Sequence, residues 1–503
     1  MVFSNNLLMG AAASAGGAAP GHIIEGSGLF ESSKYIDRTP SSVTTDTLWT
    51  FSTWVKLTDL GDDNTLISGW LAAASTPYCH IGINAADQLA LVTPGSTVAL
   101  KTNRVFRDYG AWYHILVIYN SDAAVTSADR IQFWVNGVRE TSFATSNMPG
   151  DDADSMLIST SYPMQLGRNG FNAAMVYSHL YQTETALIEG TAYSASSFGE
   201  FDSNGVWVPI DVSGLTFGTN GFLFASGADI AAGTDSSGEG NNFAVGSAPT
   251  VYNDSPTDSG DYGNYCTWNP LEIGDPSAPT TFSNGNLTSD GSIKNHVTLG
   301  TIGVTSGKWY WETEWVSGGT AGNKWTGIAY DNVARYWDGV APPDGFLGGD
   351  DKGWGYYANG TLYHNNSGAT YGNASSWTTS DVIGVALDMD NGAVWFAKND
   401  SWIDGNGTDS SATVKAEIEA GTTTSAATTG LSGTVLPAMS ALDASVFNGY
   451  FGAASASEFE YTPPTGFKKL NTANLPAPSI TKPSDHFLPI VYEGNGGGQR
   501  VGN

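Results

Sequence analysis

Positive charge is scarce in this sequence. Its 20 Lys and Arg face 49 Asp and Glu, a formal net charge of −29 over 503 residues. That balance excludes a nucleic-acid binder of the usual phosphate-neutralising kind and a partner for anionic membrane surfaces. Charge of either sign is thin, at 14% of residues, where soluble domains carry about 25%. Cysteine is nearly absent. Cys79 and Cys266 cannot build a disulfide framework and read as two buried thiols, with a bond between them as the alternative. No apolar run approaches the roughly 20 residues of a membrane-spanning helix, so no membrane insertion is expected. Helical signals are missing as well: no long stretch combines helical periodicity with caps, and the nearest, Glu184 to Gly190, amounts to a turn or two.

What is plentiful is glycine, at 62 residues, and aromatic side chains, at 12% with 16 Trp. Low charge beside many Trp argues against disorder. Gly-rich turns between aromatic and β-branched runs argue for an all-β protein. The chain is too long for one core, so about two to four domains are expected.

Composition marks the joints. Residues 1–24 form a small-residue arm. Met1 to Pro20 has no Lys or Arg before its apolar part, so it reads as a flexible or packed arm rather than a secretion leader. Residues 25–199 form a first unit. Residues 200–280 contain 11 acidic residues and no Lys or Arg, yet Phe198, Trp207, Phe217, Phe222, Tyr265 and Trp268 would pin this segment to neighbouring sheets. Residues 281–475 form a second strand-rich unit, and 476–503 a tail. Strand-like runs include Leu48 to Leu57, Trp112 to Tyr119, Arg130 to Val138, Ala174 to Tyr181, Lys308 to Val316 and Asp381 to Asp388. Ile131, Phe133 and Val135 alternate with Gln132, Trp134 and Asn136, the period of a half-buried strand. Asn136-Gly137 and Asn391-Gly392 are hairpin turn signals. The expected architecture is two antiparallel sandwiches joined by an irregular, aromatic-rich acidic segment.

The 281–475 unit resembles a SPRY domain through Gly307-Lys308-Trp309-Tyr310-Trp311-Glu312, Thr326-Gly327-Ile328-Ala329, Gly353-Trp354-Gly355-Tyr356, Asp381 to Asp388, Val394 to Asn399 and Asn448-Gly449-Tyr450-Phe451-Gly452. The insert Ser410 to Gly433 departs from that pattern. The first unit resembles laminin-G-like, concanavalin A-like lectin domains through Phe51 to Lys56, Trp112-Tyr113-His114-Ile115, Phe133 to Gly137 and Gln165 to Arg168. Their order, with the 200–280 segment between, resembles large lectin-like structural proteins of tailed phages, especially marine ones. The resemblance implies two jelly-roll, concanavalin A-like sandwiches on a virion, at a tail or fibre. It implies other virion proteins as partners, a homo-oligomer with a trimer favoured by analogy, assembly in the host cytoplasm and exposure on the particle exterior.

Sugar recognition needs aromatic faces beside amides and carboxylates on loops. The candidates are Trp70 with Tyr78, Tyr336-Trp337-Asp338, Tyr357 with Asn359, and Trp402 with Asp404. The competing reading of each Trp is a core or interface side chain. For a metal, Asp235, Ser237, Glu239 and Asn241 imitate the alternate-position ligands of a calcium loop without its closing Glu, the competing reading being a hydrated acidic loop. Calcium is the one cofactor considered. Carboxylates spaced for glycoside hydrolysis occur as Glu200 with Asp202 and Glu312 with Glu314. No nucleophile elbow or phosphate loop appears, and no enzymatic activity is expected. The expected function is host-surface attachment through multivalent, non-catalytic glycan binding. The alternatives are a purely architectural subunit (head decoration, collar or fibre spacer) and a glycan-degrading tail enzyme.

Overall fold

In the computed structural model, the described residues are 21–480 apart from 71–78, 94–96, 172–173, 273–278, 292–295, 319–322, 336–344, 442–443, 456–457 and 478–479. Period-two alternation becomes strand where it was expected. Ile131–Val135 buries Ile131, Phe133 and Val135 and leaves Gln132 and Trp134 half-buried. Asn136 and Gly137, with φ of 47° and 74°, turn that strand back so that Val135 pairs with Val138. Trp207 packs so closely on Gly137 that a Cβ there would lie 2.2 Å from the indole. The site thus needs glycine for space as well as for its φ.

The first sandwich has two antiparallel sheets. One runs Val138–Arg139, Ile131–Val135, Tyr113–Asn120, Leu48–Leu57, Leu180–Glu189, Ser27–Phe30, Thr250–Tyr252, with Phe222–Phe224 also on Leu180–Glu189. The other runs Phe143–Ser146, Thr97–Thr102, Leu89–Thr93, Cys79–Ile83, Asn64–Gly69, Met164–Leu166, Tyr35–Arg38, Ala244–Ser247. The acidic segment therefore lends strands to both sheets. Residues expected as one strand, Ala174 to Tyr181, divide into Ala174–Tyr177 and the start of Leu180–Glu189.

The Glu184 to Gly190 run is not helical. It lies in the ten-residue strand Leu180–Glu189, buried along its whole length. Leu180 and Leu187 point into the sandwich while Tyr181, Ala186 and Ile188 serve a second core on the opposite face. Two-sided burial erases the alternation that identifies a strand.

The second sandwich pairs the sheet Thr281–Ser283, Thr288–Asp290, Val446–Tyr450, Lys308–Ser317, Val382–Asp388, Ala393–Lys398, Ser401–Trp402 with the sheet Val297–Leu299, Val435–Ala441, Lys324–Tyr330, Gly353–Tyr357, Thr361–His364, Ser367–Thr370. A helix, Ser411–Ala420, sits in the insert and corrects the expectation that no capped ten-residue helix exists. Ser410 accepts from the amide of Thr413, and Gly421 closes the helix in the left-handed region. Val414 and Ile418, one turn apart, pack on Tyr310, Trp395 and Trp402. Two buried apolar positions in ten residues make too weak a stripe to stand out from an Ala/Thr/Gly-rich background. No described helix is long and apolar enough to cross a membrane. Cys79 and Cys266 are both buried free thiols, the former on the second sheet and the latter in the linking segment.

One apolar cluster runs through both sandwiches. Trp54, Trp112 and Tyr181 of the first meet Phe198, Trp207, Tyr252, Tyr265 and Trp268 of the segment, and these meet Trp309, Trp311 and Phe451 of the second. At its centre lies a buried ion pair. Lys56 Nζ donates to Asp254 Oδ2 at 2.8 Å, Asn264 Oδ1 at 2.7 Å and the Tyr265 carbonyl at 3.4 Å. Trp112 Nε1 donates to Asp254 Oδ1 at 2.8 Å. Lys56 and Asp254 side chains are 2% and 1% exposed. Removing one partner strands the other charge, whereas removing both does not. Lys56→Met should therefore lower stability by about 3–5 kcal/mol, and Lys56→Met with Asp254→Leu should recover most of that loss. Urea denaturation of the three proteins measures both.

Candidate functional site

The outer face of the Leu48–Leu57 sheet is covered. His114 shows how tightly. Its Nε2 lies 2.9 Å from Ser52 Oγ, its Nδ1 accepts from Trp207 Nε1 at 3.2 Å, and its ring packs between Trp54 and Trp207 at centroid distances of 5.0 and 5.9 Å. Burial lowers its pKa to about 3, so it is a neutral core group.

Of the expected sugar-binding residues, Trp70 and Trp402 are both 2% exposed and serve as core side chains. Trp70 is closed over by the Arg168–Phe171 hairpin strand, where a Cβ on Gly170 would lie 1.7 Å from its ring. Trp402 is the floor beneath the Ser411–Ala420 helix. Asp404, fully buried, accepts from the amides of Asn406 at 2.9 Å, Thr408 at 2.6 Å and Asp409 at 2.8 Å. Burial alone would raise its pKa, but those amides outweigh it and hold the carboxylate ionised. These three are corrected from ligand platform to scaffold. Tyr357 is half-buried and stacked on Trp325 at 4.7 Å. Asn359 is exposed and accepts from the Thr361 amide at 2.9 Å. Tyr78, Tyr336, Trp337 and Asp338 lie outside the described residues.

The calcium reading is corrected too. Asp235 accepts from the amides of Leu223 at 3.0 Å, Ser237 at 2.8 Å and Asn241 at 2.7 Å. Asn241 Oδ1 accepts from the Arg38 guanidinium, and Ser237 Oγ from the Glu239 amide at 3.2 Å. Amide and guanidinium donors occupy the oxygens of Asp235, Ser237 and Asn241, the exposed Glu239 alone cannot make up a calcium shell, and Arg38 brings its own positive charge. Among the described residues no group of three or more His, Cys, Asp or Glu is placed to hold a metal.

Three of the four carboxylates in the spaced pairs are likewise committed to hydrogen bonds within the fold. Glu312 is fully buried and accepts from Tyr310 Oη at 2.6 Å and the amides of Glu460 and Tyr461 at 2.7 and 2.9 Å. Glu314 accepts from Tyr450 Oη at 2.6 Å and Asn448 Nδ2 at 3.0 Å. Asp202 caps its own turn through the amides of Asn204 and Val206, beside an exposed Glu200.

A cleft of about 410 Å³ opens between the sandwiches. Glu31, Thr58, Asp59, Tyr109 and His179 form one wall, and Pro270, Thr280, Phe282, Ser283 and Asn286 the other. Glu31 fixes the spacing of the walls: its Oε1 accepts from the Asn284 amide at 2.8 Å and its Oε2 from the Gly285 amide at 2.9 Å. Burial raises the pKa of Asp59, with His179 opposing the rise. Sequence reasoning missed this cleft because its walls come from segments far apart along the chain, and no local pattern joins them.

A second titratable feature lies where the N-terminal segment enters. Glu184, 4% exposed, sits at a bulge in strand Leu180–Glu189 with φ of +37°, and its Oε2 is 2.5 Å from His22 Nε2.

Residues 30–185 match the model of the concanavalin A-like lectin/glucanases superfamily, and residues 308–441 match the model of the SPRY domain. The chain carries a lectin-type domain followed by a SPRY domain. No curated protein matches it. Among solved structures, the SPRY domain of human HERC1 is 20% identical, with 36% of this chain and 96% of that chain covered and a TM-score of 0.25. The TRIM65 PSpry domain is 13% identical, with coverages of 37% and 88% and a TM-score of 0.26. A Bacteroides ovatus protein provisionally described as carbohydrate binding is 18% identical, with coverages of 40% and 50% and a TM-score of 0.27. The lectin domain is completed by the strands Phe222–Phe224, Ala244–Ser247 and Thr250–Tyr252, which lie beyond the matched residues.

Two outcomes follow from this chemistry. Asp235→Ala should destabilise the protein by about 1–3 kcal/mol by orphaning buried amides, and calcium or a chelator should leave the melting temperature of the parent unchanged. Differential scanning calorimetry reads both. The second concerns pH. Burial, opposed by His22, raises Glu184 to about 7, and its hydrogen bond to Glu184 raises His22. Both groups bind a proton more tightly folded than unfolded, so their contribution is fully present below the unfolded values and is lost as pH rises through the folded ones. The melting temperature should fall from about pH 5 to about pH 8, and Glu184→Gln should flatten that slope.

Proposed function

We propose that this protein is a structural component of a tailed-phage virion, at the tail or fibre. In this reading it grips host-surface glycans through repeated weak contacts and cleaves nothing. The observation that carries the reading is the lectin-type domain locked by a common core to a second sandwich, so that each copy presents loops in a fixed orientation. The phage setting rests on the order of the lectin-like unit, acidic segment and SPRY unit in the sequence. The non-catalytic character is supported by the carboxylates: Glu312 and Glu31 each give both oxygens to backbone amides or a tyrosine, which leaves neither to shuttle a proton. A trimer, exposed on the particle with other virion proteins at its base, would supply the repeated copies.

Avidity makes the reading testable. A weak single site, with Kd of about 1 mM, gains on the order of a hundredfold when copies are linked at matching spacing. The oligomeric full chain should therefore label host envelope and a glycan array, and dispersal to monomers should reduce the signal by about a hundredfold. Labelling of neither envelope nor any glycan would leave the architectural subunit, an alternative favoured by the covered face of the lectin domain. Release of oligosaccharide fragments from envelope polysaccharide would restore the enzyme.

A further inference from the structure

The cleft between the two domains has a chemistry of its own. Its described lining contains no Lys or Arg, while Glu31 and Asp59 are acidic. The chain around it carries a net charge of −29. An anionic ligand meets repulsion there from the carboxylates, and the basic group in the described lining is the His179 imidazole rather than a permanent cation. The lining offers hydroxyl, amide and carboxylate groups from Thr58, Asp59 and Asn286 beside the rings of Tyr109 and Phe282. Polar groups that fix orientation, set among aromatic side chains, make up the usual furniture of a small-molecule site, and domain boundaries are a usual place for one. The cavity of about 410 Å³ falls within the roughly 300–1,000 Å³ of such sites. Its two walls are held at fixed spacing by Glu31 and by Tyr181, whose hydroxyl donates to the Gly285 carbonyl at 3.1 Å, so the cleft is preformed.

We infer that this interdomain cleft is a saccharide subsite selective for uncharged pyranosides, with Asp59 and Asn286 taking hydroxyl groups and Tyr109 and Phe282 supplying apolar contact. The inference rests on the glycan-binding reading above and adds the place of binding and the class of sugar. Both domains contribute a wall, so neither domain alone holds the site. Uronates, sialosides and phosphorylated sugars are rejected by charge.

Saturation-transfer NMR on the full chain tests it, with lactose and chitobiose as uncharged probes and sialyllactose and digalacturonic acid as anionic ones. Ser283 is exposed and lines the cleft, so Ser283→Trp fills the cavity from a position that tolerates bulk. Phe282→Ala removes an apolar contact. Ala144→Trp, on an exposed position of strand Phe143–Ser146 in the other lectin sheet, is the control. Each variant is first matched to the parent in melting temperature. The expected result is transfer to at least one uncharged probe and to neither anionic probe. Ser283→Trp and Phe282→Ala should each weaken binding about tenfold or more, with the control unchanged. Uncharged probes bound equally by parent and both cleft variants would overturn the cleft while leaving glycan attachment intact, as would binding of the anionic probes alone. Failure of every probe, together with a blank glycan array, would overturn the attachment reading and this inference with it.

Discussion

A single ammonium group, buried where almost everything around it is acidic or apolar, holds the molecule's two halves in register. The segment 200–280 has no cation of its own, yet Asp254 within it is fully buried. That carboxylate could not leave water without a partner. Lys56 reaches it from near the end of the ten-residue strand Leu48–Leu57, and the remaining donors and acceptors are satisfied by Trp112, Asn264 and the Tyr265 carbonyl. Satisfied on all sides, the pair specifies one docking of the segment rather than adding much net stability. Everything C-terminal to it inherits that placement: Tyr265, Cys266 and Trp268 follow directly on Asn264 and enter the core shared with the SPRY domain.

The abundance of tryptophan takes its meaning from this arrangement. Two sandwiches need only their inner faces apolar, but here the lectin sheet bearing Leu48–Leu57 is buried on both. Trp54 and Trp112 lie on its outer side under Trp207 and Tyr265. Large flat rings fill the irregular space between a sheet and a loop-rich segment with few side chains and little lost entropy. The same need absorbed Trp70 and Trp402. Each is the wide surface on which a small added element closes, a hairpin in one case and a ten-residue helix in the other.

These cases show what could be read in advance. Ile131–Val135 and the Asn136-Gly137 turn were legible because strand period and turn chemistry are local properties. Leu180–Glu189 was not, since burial on both faces removes alternation and the bulge at Glu184 shifts what remains. The insert helix was hidden by a short apolar stripe, although Ser410 and Gly421 were the signals that could have revealed it. At the calcium-like loop the oxygens recur at alternate positions, but the amides of Leu223, Ser237 and Asn241 and the guanidinium of Arg38 hold them. Whether an Asp faces a cation or a backbone amide depends on the turn geometry, which residue spacing does not encode.

The interdomain cleft is the extreme of that limit, and it also shows why the rigid union matters. Thr58, Asp59 and Tyr109 extend from the end of the lectin sheets, while Phe282 and Asn286 belong to the first hairpin of the second sandwich. Were the domains joined by a flexible tether, bringing the walls together would cost ordering entropy at each binding event. Folding has already met that cost through the Lys56 pair, the Glu31 brace and the common aromatic core. A shallow, weak site gains most from such preorganisation, because little interaction energy is available to offset any rearrangement. Rigidity in each copy and repetition among copies then act on different terms of the same free energy. The first lowers the cost of a single contact, and the second raises the effective concentration of the next.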